Sequence, residues 1–431
     1  VRRADLKHLS VLMATVFIDM IGFLMVLPLL PFYAERLGAS PVVVTLLVAA
    51  FALAQLVASP LWGRFSDRLG RRPMIICGLL LSGAAFVLFG FASGLIGSGH
   101  DDGRHLFGIA HAGLWLLFAS RLIQGMGGGT TSVVHAYVSD VVPHGERAKA
   151  LGWMSAATSA GVVLGPALGS FAAHWGEAAP GFLAAVLCVA NAVFAWALLP
   201  EPERQAAEEG EEQESLLSAV RRVLVDPGRE IHVLIFVYAF GMMAFMAMNS
   251  VVALFLERDF GATDETIGWF YVYVGVLSFV MRAAILGPIV SWVGEVKTLR
   301  VGAVSLAAGL VAIPFTGNLG LEPPWNLVML GLAAALVPIG TALLFPSTTS
   351  QISGRALRHE TGQTLGVQQA FGGVSRVVGP VWAGFAFQEL GVPTPFWIGA
   401  VIMVGVFLIA LRVHPLGDEG RRIATEQLEA D

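Results

Sequence analysis

One aspartate, Asp19, stands inside the apolar run FIDMIGFLMVLPLLPFYAERLG (17–38), and three arginines, Arg121, Arg282 and Arg376, stand inside others. Ionised groups in apolar surroundings are costly, so each must pair, reach water or do work. A carboxyl group so placed can load a proton and release it again as water access alternates between two sides. The plainer alternative is a permanent ion pair between Asp19 and Arg121 or another base. Arg121 opens RLIQGMGGG (121–129), where Arg121, Gln124 and Gly125 share one helical face by their three- and four-residue spacing. Arg121 can take part in proton or substrate coupling there, or merely tie helices together. Three Arg against the only midspan acid leave the interior net positive, which favours an anionic or zwitterionic small molecule over a lipophilic cation. Arg282, in FVMRAAILG, can instead snorkel to a nearby surface. Gln55, Gln124, Asn249, Gln368 and Gln369 are the uncharged groups able to line a cavity with these arginines. The Met- and Phe-rich stretch FGMMAFMAM (240–248) reads first as ordinary packing. No phosphate-cradling loop, metal-spaced His/Cys cluster or nucleophile elbow occurs. ATP hydrolysis, a metal, a cofactor and enzymatic activity are therefore not expected.

The elements that must carry these residues follow from composition. Of 431 residues, 56% are hydrophobic, 50 more are Gly and 13% are charged, with a net charge of −5. A soluble globule carries about 25% charged residues, so a soluble chain is excluded, as are a disordered chain, a disulfide scaffold and a basic nucleic-acid binder. Cys77 and Cys188 both lie in apolar runs and read as small buried hydrophobes. Twelve stretches are long and apolar enough to span a bilayer, near 9–33, 41–62, 74–95, 106–130, 150–174, 181–199, 231–256, 265–289, 298–316, 325–347, 364–388 and 395–412. They are unbroken runs rather than alternating segments, so a barrel is excluded. The first is too long for a signal peptide and is expected to be retained. With the N-terminus in the cytoplasm, inner segments hold 20 of the 26 Lys and Arg, and outer loops hold three, Arg36, Arg104 and Arg258. An all-α protein of the cytoplasmic membrane with both termini inside is predicted.

The acidic stretch PEPERQAAEEGEEQE (200–214), with seven Glu, offers no core and reads as a solvated linker within 200–230. It separates a bundle over 1–199 from a second over 231–412, followed by a tail, 413–431. The halves echo one another. Gly63 and Gly70 correspond to Gly287 and Gly294 at an offset of 224, and Gly165-Pro166 to Gly379-Pro380 at 214. The change of ten is explained by the longer outer loop 97–108. Two six-helix pseudo-repeats with a midplane site and rocking halves are a transporter architecture.

The loop GRFSDRLGRRP (63–73) resembles the signature loop of the major facilitator superfamily, with Gly63, Asp67, Arg68, Gly70, Arg71 and Arg72 at the family's spacings. Gly63 and Gly70 permit a tight turn. The resemblance implies that Asp67 binds a helix N-terminus and an Arg of the other half, shutting an inner gate, and it nominates Arg147 of GERAKALG as that partner. Arg71 and Arg72 are equally accounted for by the positive-inside rule. In the second half Ser291 replaces the Asp, so the gate would be asymmetric. RLIQG is similar to the family's Arg-x-x-Gln-Gly motif, whose Arg serves substrate or proton coupling. Gly161, Gly165 and Gly169 lie four apart around Pro166, a stripe for close helix packing. With that Pro it is similar to the antiporter signature of drug/proton exchangers, echoed at Gly379-Pro380. Residues 9–76 with 121–169 resemble the tetracycline/proton antiporter group.

These observations together predict a monomeric, proton-coupled exporter of a small organic or drug-like substrate, with Asp19 and Arg121 as coupling residues. The alternatives are a proton-coupled metabolite symporter or lipid flippase of the same fold, and a non-transporting membrane receptor or scaffold.

Overall fold

Segments this apolar leave the backbone N–H and C=O groups to be satisfied within the segment itself, and the helix is the only local solution. The computed structural model describes residues 3–96, 109–142, 144–202, 216–317, 324–356 and 360–415, and among these it has helices and no strands. The first eight helices are α1 (Arg3–Val26), α2 (Leu30–Arg36), α3 (Pro41–Leu69), α4 (Arg71–Gly94), α5 (Ile109–Gly128), α6 (Thr131–Val141), α7 (His144–Ala173) and α8 (Ala179–Leu198). The rest are α9 (Leu216–Val225), α10 (Glu230–Phe260), α11 (Ile267–Val280), α12 (Leu286–Val293), α13 (Glu295–Gly317), α14 (Trp325–Ser353), α15 (Thr361–Phe385) and α16 (Thr394–Ala410). Among the described residues nine stretches are long and apolar enough to cross a membrane. The remaining predicted spans fall on α5, α15 and α16, the last apolar but short.

The chain divides into two compact units, Val1–Ala207 with Val252–Gly275, and Glu208–Val251 with Val276–Asp431. In the first, α1 packs on α7 and α8, and α4 on α5 and α8. The glycine stripe of α7 sets the closest of these approaches. A Cβ on Gly161 would stand 2.8 Å from Met20 Cβ, and one on Gly165 2.7 Å from Leu24 Cβ. One on Gly169 would meet the Met25 carbonyl. In the second unit α13 packs on α14 and α16. Gly379 repeats the first unit's device, with its missing Cβ 2.7 Å from the Met243 carbonyl oxygen of α10.

Backbone geometry extends the echo between the halves. Gly70 and Gly294, offset by 224, both turn the chain at positive φ, +105° and +82°. Gly38 and Gly261 do so at an offset of 223, and Gly176 and Gly391 at 215. The offset thus grows by one residue between Gly261 and Gly294, and by one between Gly379 and Gly391. Each interval contains a π-helical turn, Met281–Ile285 and Ala386–Leu390. A π-turn absorbs one extra residue without breaking the helix, which accounts for both steps. Arg282 sits in the first of them.

Three expectations are corrected in detail. The predicted span 106–130 does not end at 130: the chain breaks at the glycine run and continues as α6 to Val141. The linker 200–230 contains a helix, α9, because LLSAVRRVLV places apolar residues at helical spacing and packs on α15. Cys188 is buried as expected, but Cys77 is exposed on α4.

Candidate functional site

Asp19 lies near the middle of α1, held from two sides. The α7 stripe fixes one face, since Phe17, Met20, Ile21, Leu24 and Met25 are the residues it touches. On the other, Asn191 of α8 donates Nδ2–H to the Thr15 carbonyl (2.8 Å), one turn before Asp19, and Gly22 lets Cys188 Sγ approach. The Asp19 side chain opens onto a cavity of ≈ 450 Å³ with Thr130, Thr131, His135, Ser155 and Thr158 on its wall. These come from the α5–α6 break, α6 and α7. The break exposes backbone carbonyls that the hydroxyls just after it cover: Thr130 Oγ1 donates to Gly127 O (2.8 Å), Thr131 Oγ1 to Gly128 O (2.9 Å) and Ser132 Oγ to Gly129 O (3.0 Å). Gln55 of α3 adds Nε2–H to Gly128 O (3.1 Å), so it braces the break. Irregular backbone within a span is tolerated where it is satisfied or lines a cavity, and both conditions hold here.

Arg121 is 1% exposed, deep in the same unit, and has no ion pair with Asp19. Its Nη2 donates to Ser120 Oγ (3.2 Å) and its Cζ lies 5.3 Å from the Phe89 ring centre. Its Nε and Nη1 have no partner, nor have either amide atom of the adjoining Gln124 or the hydroxyl of Tyr33, whose ring lies 5.8 Å from that of Phe89. A guanidinium kept this dry is held by an aromatic face and one hydroxyl. Its Nε and Nη1 remain as donors for an anion or water. The alternative of a fixed Asp19–Arg121 pair is therefore absent.

The α3–α4 loop is a local ionic knot. Asp67 pairs with Arg71 Nη1 (2.6 Å) across the Gly70 turn, and Arg71 Nε reaches Asp140 of α6 (2.9 Å). Glu201 caps α4, accepting the backbone N–H groups of Arg71 (2.6 Å) and Arg72 (3.0 Å), and Arg72 donates to the Trp196 carbonyl. Gly70 is needed twice: its φ is +105°, and a Cβ there would lie 2.6 Å from Glu201 Oε1. Gly63 and Arg68 make no such contact; Arg68 is exposed and Gly63 borders open space. Arg147, the nominated partner of Asp67, lies in the first turn of α7, where side chains fall outside the described residues.

The other candidates belong to the second unit. Gln368 is buried and donates to Thr349 Oγ1 (2.7 Å), with Oε1 unpartnered. Arg376 reaches Gln369 Oε1 (3.4 Å), Asn249 is half-buried and Arg282 is exposed. Pro380 lies within α15 beside the Gly379 contact, as Pro166 lies within α7 beside Gly165. Sequence reasoning missed His135, Asp140, Asn191 and Glu201. Only the GMGGGTTS sequence (125–132), glycines followed at once by hydroxyls, signalled that a broken helix would deliver residues beyond 130.

A family model described as the Major Facilitator Superfamily matches residues 12–380. Multidrug resistance protein 1 of Bacillus subtilis (strain 168) is 29% identical over 402 residues, 93% of this chain and 95% of the relative. The class B tetracycline resistance protein of Escherichia coli is 24% identical over 396 residues, 90% of each. Among solved structures, a bacterial homologue of the iron transporter ferroportin superposes with a TM-score of 0.74 at 14% identity, over 95% of this chain and 98% of that one.

Proposed function

Because the chain belongs to the Major Facilitator Superfamily, a family of multi-pass membrane transporters and not of enzymes, we propose that it is a proton-coupled exporter of small organic compounds. Drug and antibiotic resistance proteins among its full-length relatives support the export of such compounds. The observation that carries the reading is the ≈ 450 Å³ cavity with Asp19 on its wall. An ionisable carboxyl group facing a polar cavity within a membrane span is a functional site before it is a structural one. Asp19 carries the proton, and His135, Ser155 and Thr158 give it polar neighbours that water or substrate can share. Protonation from outside favours release of substrate and return to the inward-facing state. Coupling follows when proton and substrate prefer different states of the protein.

Two six-helix bundles, 1–199 and 231–412, joined by the acidic linker, move as the alternating halves. The loop 63–73, with Asp67 and Arg147, closes the inner side. Arg121, with two guanidinium nitrogens unpartnered, supports an anionic or zwitterionic substrate group over a cationic one. In proteoliposomes, a transported compound should collapse a preset pH gradient, and Asp19→Asn should abolish the collapse while substrate binding persists. Undiminished coupling in Asp19→Asn overturns the assignment. Accumulation in inverted against right-side-out vesicles separates export from the symporter alternative.

A further inference from the structure

α9 has more apolar surface than its own bundle covers. Ala219 and Val223 are buried, and the helix packs on α15. Leu224 and Val225, in its last turn, are 59% and 73% exposed, and Arg221 and Arg222 beside them are exposed as well. A short helix with outward apolar side chains and adjacent arginines suits the headgroup level of a bilayer, where the former enter the acyl boundary and the latter reach phosphate. The Lys and Arg distribution assigns this segment to the inside.

The covered side of α9 walls a cavity of ≈ 140 Å³, room for several waters or one phosphate group. Arg222, Arg229 and Arg355 line it, with His232, Gln363 and Thr364, against a single carboxyl group on the wall, Glu360. Arg355 is fixed in place, its side chain 9% exposed. It donates Nε to Glu230 Oε2 (3.2 Å), Nη1 to the Gln351 carbonyl (3.2 Å) and Oε1, and Nη2 to the His414 carbonyl. Glu230 is thereby engaged with Arg355 and with His414 Nδ1 (3.0 Å). His232 is 5% exposed, and its Nδ1 is tied to the Asp226 carbonyl. The Arg229 guanidinium, by contrast, makes no ion pair or hydrogen bond with the described residues. The first turns of α10 and α15 both border the cavity, through Ile231 and His232 and through Gln363 and Thr364. Two helix N-termini and three arginines around one small space favour an anion.

We propose that α9 and this cavity bind an anionic phospholipid of the inner leaflet. Its phosphate lies among Arg222, Arg229 and the α15 N-terminus, and its acyl chains run along Leu224 and Val225. Free phosphate would use the same donors but would leave those two side chains in water, which their apolar surface disfavours. The lipid would pin the end of the acidic linker to the second unit. Nothing in this site depends on what the chain exports.

The test uses the full chain in detergent, with dioleoylphosphatidylglycerol or dioleoylphosphatidylcholine added and retained lipid counted by native mass spectrometry. The parent should hold one phosphatidylglycerol more tightly than phosphatidylcholine. Arg222→Gln and Arg229→Gln should each weaken phosphatidylglycerol binding by about fivefold, the effect of one basic residue at a lipid surface, and leave phosphatidylcholine unchanged. Lys297→Gln removes an exposed charge from the same unit away from the cavity and should change neither. A second readout places a nitroxide at Leu224→Cys, with Cys77 and Cys188 replaced by Ser, in nanodiscs containing phosphatidylglycerol. Oxygen should relax the label more than a water-soluble nickel chelate does. Equal retention of the two lipids, an equal loss in Lys297→Gln, or a label that the nickel chelate reaches better overturns the proposal. So does inorganic phosphate that raises the parent's melting temperature as much as phosphatidylglycerol does, which would make the cavity a free-anion site.

Discussion

Gly165→Ala probes whether the approach of α7 to α1 positions Asp19. The added methyl would stand 2.7 Å from Leu24 Cβ and 3.0 Å from the Ile21 carbonyl oxygen. Carbon atoms in contact prefer about 3.5–4.0 Å. Both obstacles are backbone or the first side-chain atom of α1, so no rotamer change removes them; the helices must separate. Over-packing of this kind costs about 1–3 kcal/mol. Ala also favours helix over Gly by about 1 kcal/mol, so the variant needs a control carrying the same gain. Gly152→Ala is that control: it lies on the same helix and nothing comes within 4 Å of its Cβ. The difference between the two isolates the clash. At about 2–4 °C per kcal/mol for a unit of this size, Gly165→Ala should melt several degrees below Gly152→Ala. Cys188 provides the probe, being buried beside Gly22 of α1. In a Cys77→Ser background its reaction with a thiol-reactive fluorophore on heating reports the parting of α1 from α8. Equal melting temperatures for the two variants would refute the close approach, and with it the account of how Asp19 is held.

Arg121→Met removes a buried, incompletely satisfied cation; the melting temperature should rise, by about 1–4 kcal/mol in stability, while substrate transport falls. Gly70→Ala forces a side chain into φ +105° and against Glu201, and should cost about 1–3 kcal/mol. Glu201→Ala costs about 1 kcal/mol as a lost helix cap, and in denaturation the double variant should lose less than the sum, because the clash is gone. Asp140→Asn should destabilise more than Asp67→Asn, since the Asp140 side chain is 19% exposed and that of Asp67 63%, and exposed pairs contribute at most about 1 kcal/mol; equal losses would put the weight of the knot on Asp67.

Where the sequence signal was a helix-long apolar run, the fold was legible: hydrocarbon length and backbone satisfaction leave one solution, and a charge inside such a run is conspicuous whatever surrounds it. Asp19 and Arg121 were legible for that reason. What they face was not. His135 lies six residues beyond the end of RLIQGMGGG and reaches the Asp19 cavity only because three glycines let the helix break and resume. Asn191 and Glu201 act on backbone groups of other helices, and a hydrogen bond to a main-chain atom leaves no residue-type signature on its partner.

The α3–α4 loop shows how far a motif can be read. Its spacing names Gly70 and Asp67, and the structure gives Gly70 a reason that spacing alone does not contain, the Glu201 carboxylate that a Cβ would displace. Glu201 is the first of seven Glu in 200–214, a stretch whose composition reads as solvated and without structure. Its neighbour Pro200 accepts the Tyr137 hydroxyl at 2.8 Å, so the start of that stretch is tied to both α4 and α6. Composition averages over a segment, whereas a cap needs one carboxylate at one place. The linker therefore begins as a structural part of the first unit. A substitution at Glu201 should loosen the α3–α4 loop and the linker together, which a purely solvated linker would not do.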